Sequence, residues 1–257
     1  MRSALRTLAL LLAAAGCLKA RGDERAPLLR GLEPPERRLE RTLPHMKRGI
    51  PGERASRTCL AYARYAVLFS DEGEMGASDL EIRRRPEGMA ASDACAERFR
   101  GKVVRPQEGE EAMGPAGLFD RWLLEVSADD FGMLATFALV DLDTGDRAYQ
   151  DDYQAGRGLE LERTASGPVL TYWSSLGRFD CLPRRGEADC WRRIRERHAV
   201  PAEVPPPDCE AAIAAQPEML TADADRAAQI AVHVRVEGLS RRDAVYLPDP
   251  PSCEAAP

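Results

Sequence analysis

The sequence predicts a mainly β fold: an antiparallel meander or sandwich with two or three short helices, held by disulfides, with an α+β arrangement as the alternative. Between residues 121 and 191, short apolar runs alternate with turn-forming residues about every ten positions, as in consecutive antiparallel strands. Residues 229–237 alternate between apolar and polar side chains, which is typical of a strand with one buried face. Seven cysteines supply the disulfides.

The meander begins with two strands whose patterns differ. Residues 122–126 form a short apolar strand, whereas the next run, 132–142, is apolar on both alternating faces. That second pattern predicts a central strand covered on both sides. Gly145 then provides the positive φ that a tight hairpin needs. The remaining strands of the meander are predicted at 147–153, 159–162 and 169–173.

The flanking segments add further strands and the helices. Residues 59–69 and 79–84 have strand character and are expected to form a hairpin. Cys181 and Cys190 lie symmetrically about residues 185–186, which predicts a last hairpin at the end of the meander. The other predicted elements are an exposed loop at 105–117, helices at 92–99, 191–198 and 209–215, a strand at 229–237 and an edge strand at 244–247.

The chain is expected to consist of three regions. Residues 1–16 form a signal peptide, and residues 17–57 form an anchor followed by a flexible tether, since this stretch is charged, rich in proline and poor in apolar residues. Within the tether, one short helical piece is expected at 36–43. Residues 58–257 form a single β-rich globular domain. This domain contains the meander, 121–191, and a C-terminal segment, 208–257.

The charge distribution excludes one class of partner. Residues 18–57 contain eleven basic and six acidic side chains, whereas residues 58–257 contain 23 basic and 36 acidic ones, a net charge of −13. An acidic folded body repels the phosphate backbone of DNA or RNA, so nucleic-acid binding is not expected. The basic excess of the tether suits the anionic headgroups of a membrane.

The first 17 residues carry the most specific signal in the chain. Arg2 and Arg6 precede an apolar run, 8–16, which is long enough for a secretory signal and too short to span a bilayer. The run ends in the letters AAGC at residues 14–17, which resembles the lipobox of bacterial lipoproteins. The resemblance implies that diacylglycerol is attached to Cys17, which becomes the mature N-terminus.

The resemblance also implies a location. Leu18 follows the anchor cysteine in place of an aspartate, and lipoprotein sorting then implies the outer membrane if the cell is Gram-negative. The protein is therefore expected to be exported and held by lipid at the outer membrane or the periplasmic face. Ala14 departs from the pattern, since leucine is usual three residues before the cysteine. Ordinary signal-peptidase cleavage after residues 13–15 is the alternative.

The cysteine count agrees with an anchor at Cys17. Seven cysteines leave one unpaired in an exported protein, whereas assigning Cys17 to lipid leaves six that can all pair in an oxidising compartment. The sequence does not determine the connectivity. Sequential pairing is preferred, because each bond then closes one local segment and stabilises the fold by about 2.5–4 kcal/mol. The predicted pairs are Cys59–Cys95, Cys181–Cys190 and Cys209–Cys253.

No motif for a metal, a cofactor or a catalytic group stands out. Asp141, Asp143 and Asp146 form a weak calcium candidate, but the diagnostic positions of an EF-hand loop do not match, and a hairpin turn explains this stretch better. The sequence contains no Cys-x-x-Cys, and its three histidines lie in no zinc or triad motif. No catalytic residue, metal or cofactor is therefore predicted.

These observations favour a non-catalytic role. The expected function is that of an exported lipoprotein that binds or scaffolds components of the cell envelope, with membrane lipid as a partner through its anchor. One alternative is a periplasmic inhibitor or immunity protein, because a body of net charge −13 attracts a cationic protein. The second alternative is a secreted hydrolase whose acidic residues meet only in the folded chain.

Overall fold

The fold is taken from a computed structural model, which describes residues 29–42, 56–71, 78–96, 99–107, 113–128, 134–179, 188–214, 228–240 and 243–255. Within these ranges the chain forms fifteen β-strands in two sheets, three short α-helices and one 3₁₀ turn at Ala155–Arg157. The prediction of a mainly β, disulfide-bonded fold with short helices is confirmed.

The smaller sheet has five antiparallel strands that follow one another in chain order. They are β2 (Arg37–Thr42), β3 (Ser56–Ala61), β4 (Tyr65–Asp71), β5 (Ser78–Arg84) and β6 (Val103–Gln107). The chain turns between β3 and β4, so the stretch predicted as one strand, 59–69, is itself a hairpin. Helix α1 (Ala91–Ala94), shorter than predicted, lies in the connection between β5 and β6.

The larger sheet contains the predicted meander. Gly145, with a φ of +83°, lies in the turn of one of its hairpins, as the sequence predicts. The strands are β1 (Leu29–Arg30), β7 (Gly114–Phe119), β8 (Trp122–Ala128), β9 (Leu134–Asp141), β10 (Arg147–Gln154), β11 (Leu159–Thr164), β12 (Gly167–Phe179), β13 (Ala228–Glu237), β14 (Ala244–Tyr246) and β15 (Ser252–Ala255).

Strand β12 organises the larger sheet, because it is thirteen residues long and has partners on both edges. One edge pairs with β13, while the other pairs first with β11 and then with β10. From β10 the sheet continues through β9 and β8 to β7. Strands β14 and β15 pair with opposite ends of β13, and β1 pairs in parallel with β11.

The two sheets pack face to face over a shared core, which gives the sandwich that the sequence predicts. Leu123 and Leu142 of the larger sheet are fully buried there, as are Val67 and Ile82 of the smaller sheet. The core residues from the smaller sheet are Leu60, Tyr62, Tyr65, Val67, Leu80 and Ile82, and those from the larger sheet are Leu118, Leu123, Val140 and Leu142.

The other face of the larger sheet is covered by helices α2 (Ala188–His198) and α3 (Cys209–Ala214). Trp191 and Ile194 of α2 are buried against it, as their helical spacing predicts, and the Trp191 Nε1 donates to the Val204 carbonyl oxygen at 3.3 Å. The inward residues of β13 complete this core: Ile230, Val232, Val234 and Val236. None of the described helices is long and apolar enough to cross a bilayer.

Two disulfides lie within the described part of the chain, and they join two of the three predicted pairs. Cys59–Cys95 ties β3 to the end of α1, and Cys209–Cys253 ties α3 to β15. Cys190 is also disulfide-bonded, whereas Cys181 lies outside the described residues. The prediction that Cys190 lies in a hairpin strand is wrong, because Cys190 is in α2.

The prediction of an unstructured tether as far as residue 57 is wrong for residues 29–42. β1 pairs with β11, and β2 pairs with β3 along all six of its residues. The helix predicted at 36–43 is therefore the strand β2. Its charged composition misled the local prediction, because an edge strand tolerates charged side chains and its partner lies elsewhere in the chain.

The prediction of a loop at 105–117 is also partly wrong, since β6 ends and β7 begins inside this stretch. Pro106 lies on β6, and among the described strands β6 pairs only with β5, as suits an edge strand that contains a residue without an N–H. The pairing of β7 with β8 shifts register between Pro115 and Gly117. Proline and glycine here mark an edge and a bulge rather than a loop.

Candidate functional site

A pocket of about 380 Å³ opens on the outer face of the smaller sheet, the face that points away from the larger sheet. Four of the side chains that line it are arginines. We call it the arginine pocket, and its lining residues are Leu39, Arg41, Arg57, Cys59, Leu68, Arg83, Cys95, Ala96 and Arg100.

Strand register explains why these side chains meet. Alternate residues of a strand point to the same face of a sheet. Arg41 of β2 lies opposite Arg57 of β3, and two positions along, Leu39 lies opposite Cys59. Cys59 in turn lies opposite Leu68 of β4. The outer face therefore carries a pair of arginines beside an apolar floor.

Strand β5 adds Glu81 and Arg83 to the same face. The Arg83 guanidinium donates from Nε and Nη2 to the two carboxylate oxygens of Glu81, at 2.7 and 2.8 Å. Its Nη1 donates to the carbonyl oxygen of Phe99. Arg83 is only 8% exposed. These charge-assisted bonds satisfy its donors, as a buried guanidinium requires.

The disulfide brings the fourth arginine to the pocket. Cys59 and Cys95, whose Cα atoms are 5.8 Å apart, hold the end of α1 against β3. Arg83 then holds the carbonyl of Phe99. Arg100, the next residue, lines the pocket. One covalent and one charged contact thus position the segment that supplies this side chain.

The pocket concentrates positive charge. Its lining residues carry four formal positive charges and no negative one, and Glu81 lies beside Arg83 and 3.9 Å from Arg57. The hydrogen bonds from Arg83, joined by the charges of Arg57 and Arg100, hold the pKa of the Glu81 carboxyl below its usual range, although burial acts in the opposite direction. The Nε of Arg57 is buried and has no hydrogen-bond partner among the described residues.

These groups are suited to binding an oxyanion. A guanidinium stays protonated throughout the accessible pH range and presents a planar set of N–H donors that match a carboxylate or a phosphate. The two cysteine sulfurs of the lining are joined to each other, and a disulfide sulfur is not a thiolate nucleophile. Glu81 is held ionised by its arginines, which makes it a weak base.

The weak calcium candidate is a hairpin turn in the structure. Oδ1 of Asp141 accepts from the Asp143 N–H at 2.8 Å, and the Asp141 N–H donates to the Asp146 carbonyl oxygen at 2.9 Å. Arg121 lies 3.2 Å from the Asp141 carboxylate, and Arg84 lies 3.1 Å from that of Asp143. Across the described ranges, no three acidic, histidine or cysteine side chains are grouped to hold a metal ion.

His233 has fixed neighbours on the polar face of β13. Its Nδ1 lies 2.7 Å from Oδ2 of Asp249, and its ring stacks on Trp173 with the centroids 4.8 Å apart. The Arg157 guanidinium lies 4.3 Å from the centre of the same Trp173 ring. These contacts tie the C-terminal segment to the sheet. Cys17, the predicted lipidation site, and His45 lie outside the described residues.

A second polar cluster is enclosed by the larger sheet and α2. The Tyr172 and Ser174 hydroxyls both donate to Oδ2 of Asp151, at 2.7 and 2.9 Å, and the Tyr149 hydroxyl lies 2.6 Å from that of Tyr172. Burial and the charge of Asp151 raise the pKa of Tyr172, so its hydroxyl remains a donor. All four residues are buried, so the cluster acts within the core.

The sequence does not reveal the arginine pocket by any motif, because its arginines lie on three strands and on the connection between α1 and β6. One feature of the sequence does indicate that two of these arginines lie close together. Arg57 is two positions before Cys59 and so shares its strand face. The predicted pairing of Cys59 with Cys95 brings that face close to the segment that carries Arg100. A disulfide prediction thus already implied two neighbouring arginines.

Comparison with protein-family models, with curated proteins and with solved structures finds no match to this chain. No relative therefore supplies a ligand or a role for the arginine pocket. The groups that line it, their charge and their enclosure are the basis for a function.

Proposed function

We propose that the protein is an exported lipoprotein, anchored through Cys17 at the outer membrane or the periplasmic face of the envelope, and that it is a non-catalytic binding protein. Its ligand carries an anionic group that enters the arginine pocket. The observation that carries this proposal is the set of four guanidiniums around about 380 Å³ of space. A pocket of that volume accommodates a small ligand or one headgroup.

The chemistry of the lining supports binding rather than catalysis. Arginine, leucine, alanine and disulfide-bonded cysteine provide hydrogen-bond donors and an apolar floor. Glu81 is committed to Arg83 and serves as an internal counter-ion. Such a counter-ion keeps the guanidiniums oriented before the ligand arrives, which reduces the entropy lost on binding.

The test is a titration of the mature protein with inorganic phosphate, pyrophosphate and citrate, in which calorimetry measures the binding affinity. Arg57→Ala should weaken binding about tenfold or more, because one charge-assisted hydrogen bond contributes about 1.5–3 kcal/mol. Arg192→Ala is the matched control, since Arg192 is an exposed arginine of α2 that pairs with Asp189 and Glu196. Equal affinities in the two variants, or no binding of any of these anions, would rule the proposal out.

The inhibitor or immunity protein remains a second candidate, because charge is unevenly distributed along the chain. Residues 108–257 contain 15 basic and 28 acidic side chains, a net charge of −13. The larger sheet and its helices therefore supply an acidic surface for a cationic protein. A cationic partner that is retained at physiological salt and released by charge reversal on this part of the chain would support it.

A further inference from the structure

We infer that the arginine pocket binds the phosphate of an anionic lipid headgroup in the membrane that holds the anchor. The inference deepens the proposed function and rests on it, since the ligand is now a specific anion presented by a surface. Three features of the molecule lead to it: the unequal net charge of its two parts, the route of the N-terminal chain and the exposure of the pocket face.

Charge is segregated between the two sheets. Residues 29–107 include β1 of the larger sheet and all five strands of the smaller sheet. They contain 16 basic and 12 acidic side chains, a net charge of +4. Residues 108–257 carry −13. In the field of an anionic bilayer such a molecule turns its basic end toward the lipid and its acidic end away.

The arginine pocket lies at the basic end and faces outward. The inner face of the smaller sheet is covered by the larger sheet, so the acidic part of the molecule lies behind the pocket. Of the described residues, those of α1 and Phe99 pack on the outer face. On the strands that flank it, Arg41 is exposed and Val103 is 42% exposed. These two side chains lie on opposite edge strands of the smaller sheet, and a face that exposes both cationic and apolar groups suits the boundary between headgroups and acyl chains.

The N-terminal chain brings this face to the membrane. Eleven residues lie between Cys17 and Leu29 of β1, which limits the reach from anchor to fold to about 40 Å. After β1 the chain continues directly into β2, whose Leu39 and Arg41 line the pocket. The pocket is thus built in part from the first long strand of the described chain.

The guanidiniums of the lining supply the positive charge that a phosphate requires; Arg83 is already bound to Glu81 and to the Phe99 carbonyl, so it contributes charge to the pocket rather than free N–H donors. A phosphate monoester offers several acceptor oxygens, and guanidinium N–H groups can bind two of them at once. Arg57 and Arg41 lie opposite each other and converge on the pocket. Leu39 and Leu68 provide an apolar wall for the glycerol and the start of the acyl chains.

The test uses the mature chain from Leu18 on, made without lipid, which keeps every described residue. Its sedimentation with phosphatidylcholine vesicles is measured with and without phosphatidic acid, and glycerol 3-phosphate is titrated in parallel as the soluble form of the same headgroup. Binding to the phosphatidic acid vesicles is expected, and Arg41→Ala and Arg57→Ala should each reduce it about tenfold. Arg38→Ala is the matched control, because Arg38 directly precedes the pocket residue Leu39 on β2 and, by strand alternation, points to the opposite face.

Each outcome decides the inference. An equal loss in Arg38→Ala and Arg41→Ala would mean diffuse attraction to a charged surface and would overturn it. Binding of glycerol 3-phosphate that depends on Arg57, without binding to vesicles, would overturn the lipid headgroup and leave the anion-binding function intact. Absence of both would remove the inference and the proposed function together.

Discussion

At the residue scale, the buried carboxylate of Asp151 shows how the core of the larger sheet tolerates a charge. Two hydroxyls donate to one of its oxygens, and the Phe137 ring meets the Tyr172 ring edge-on, with the centroids 4.9 Å apart. A carboxylate in such surroundings is stable only while its donors remain. Each donor is therefore a measurable contribution to stability.

Tyr172→Phe should lower the free energy of unfolding by about 1.5–3 kcal/mol, because it removes a hydrogen bond to a buried charge. Tyr153→Phe is the control, since Tyr153 is equally buried in the same core and the hydrogen bonds to Asp151 come from other residues. Urea unfolding followed by circular dichroism measures both. A Tyr172→Phe cost no greater than that of Tyr153→Phe would contradict the assignment.

Tyrosines also determine the alkaline limit of the fold. Burial, together with the charge of Glu33, raises the pKa of Tyr62 to about 12 from its ordinary value of 10.0. A folded-state pKa above the unfolded value means that the unfolded chain loses its proton first as pH rises. The stabilisation is complete below about pH 10 and is lost as the pH climbs toward the folded value.

The urea midpoint should therefore fall steadily above about pH 10. Tyr62→Phe should have a shallower fall, because its contribution to the linkage is gone. Ultraviolet absorbance of tyrosinate, recorded in the same samples, reports when ionisation and unfolding coincide. A midpoint that stays flat through this range in the unmodified protein would contradict the expectation.

At the scale of elements, β2 carries the greatest difference from the sequence-based prediction. Its six residues pair with β3, and Leu39 packs on the apolar cluster under α1. Because β2 is at the edge of the described sheet, the amides of Arg37–Thr42 that point toward β3 should exchange slowly, and the alternate amides should exchange faster. Leu39→Ser should speed that exchange, while Glu40→Ser, at an exposed position of the same strand, should leave it nearly unchanged. If these amides exchanged at the rate of an unfolded chain in the unmodified protein, the prediction that this stretch is a flexible tether would be correct after all.

The sequence predicts elements whose signal is local and misses those whose partner is distant. The sequence predicts β13, because Ile230, Val232, Val234 and Val236 alternate with polar residues. It does not predict β2, since the single half-buried side chain of that strand, Leu39, lies among charged residues. The pocket is missed for a related reason: Arg41 and Arg57 become neighbours only through strand register, which no spacing in the chain encodes.

At the scale of the whole molecule, the sheets are held together by apolar packing rather than by the ion pairs that cross between them. Arg84 reaches Asp143 at 3.1 Å and Arg64 reaches Asp120 at 3.5 Å, but all four side chains are between 44% and 58% exposed. Pairs of this kind contribute about 0–1 kcal/mol each. Leu123, fully buried between the sheets, contributes several times more.

Leu123→Ala should accordingly cost about 2–5 kcal/mol, whereas Arg84→Ala should cost less than about 1 kcal/mol. Because the core between the sheets is shared, both variants should unfold in one transition that affects the two sheets together. Urea unfolding monitored by far-ultraviolet circular dichroism and by tryptophan fluorescence tests this. Two separated transitions, or equal costs, would mean that the sheets are stable without each other.

The first residues of the described chain also have a mechanical consequence. β1 joins the larger sheet through a two-residue pairing, Glu33 bridges to Leu118, and β2 then joins the smaller sheet. A pull on the N-terminus therefore loads these contacts one after another. The short β1 pairing and the Glu33 bridge break first. The freed residues lengthen the extended N-terminal chain, while β2 and the pocket that it lines stay intact. Tension applied at the N-terminus is thus relieved by a few weak contacts before it reaches the arginines.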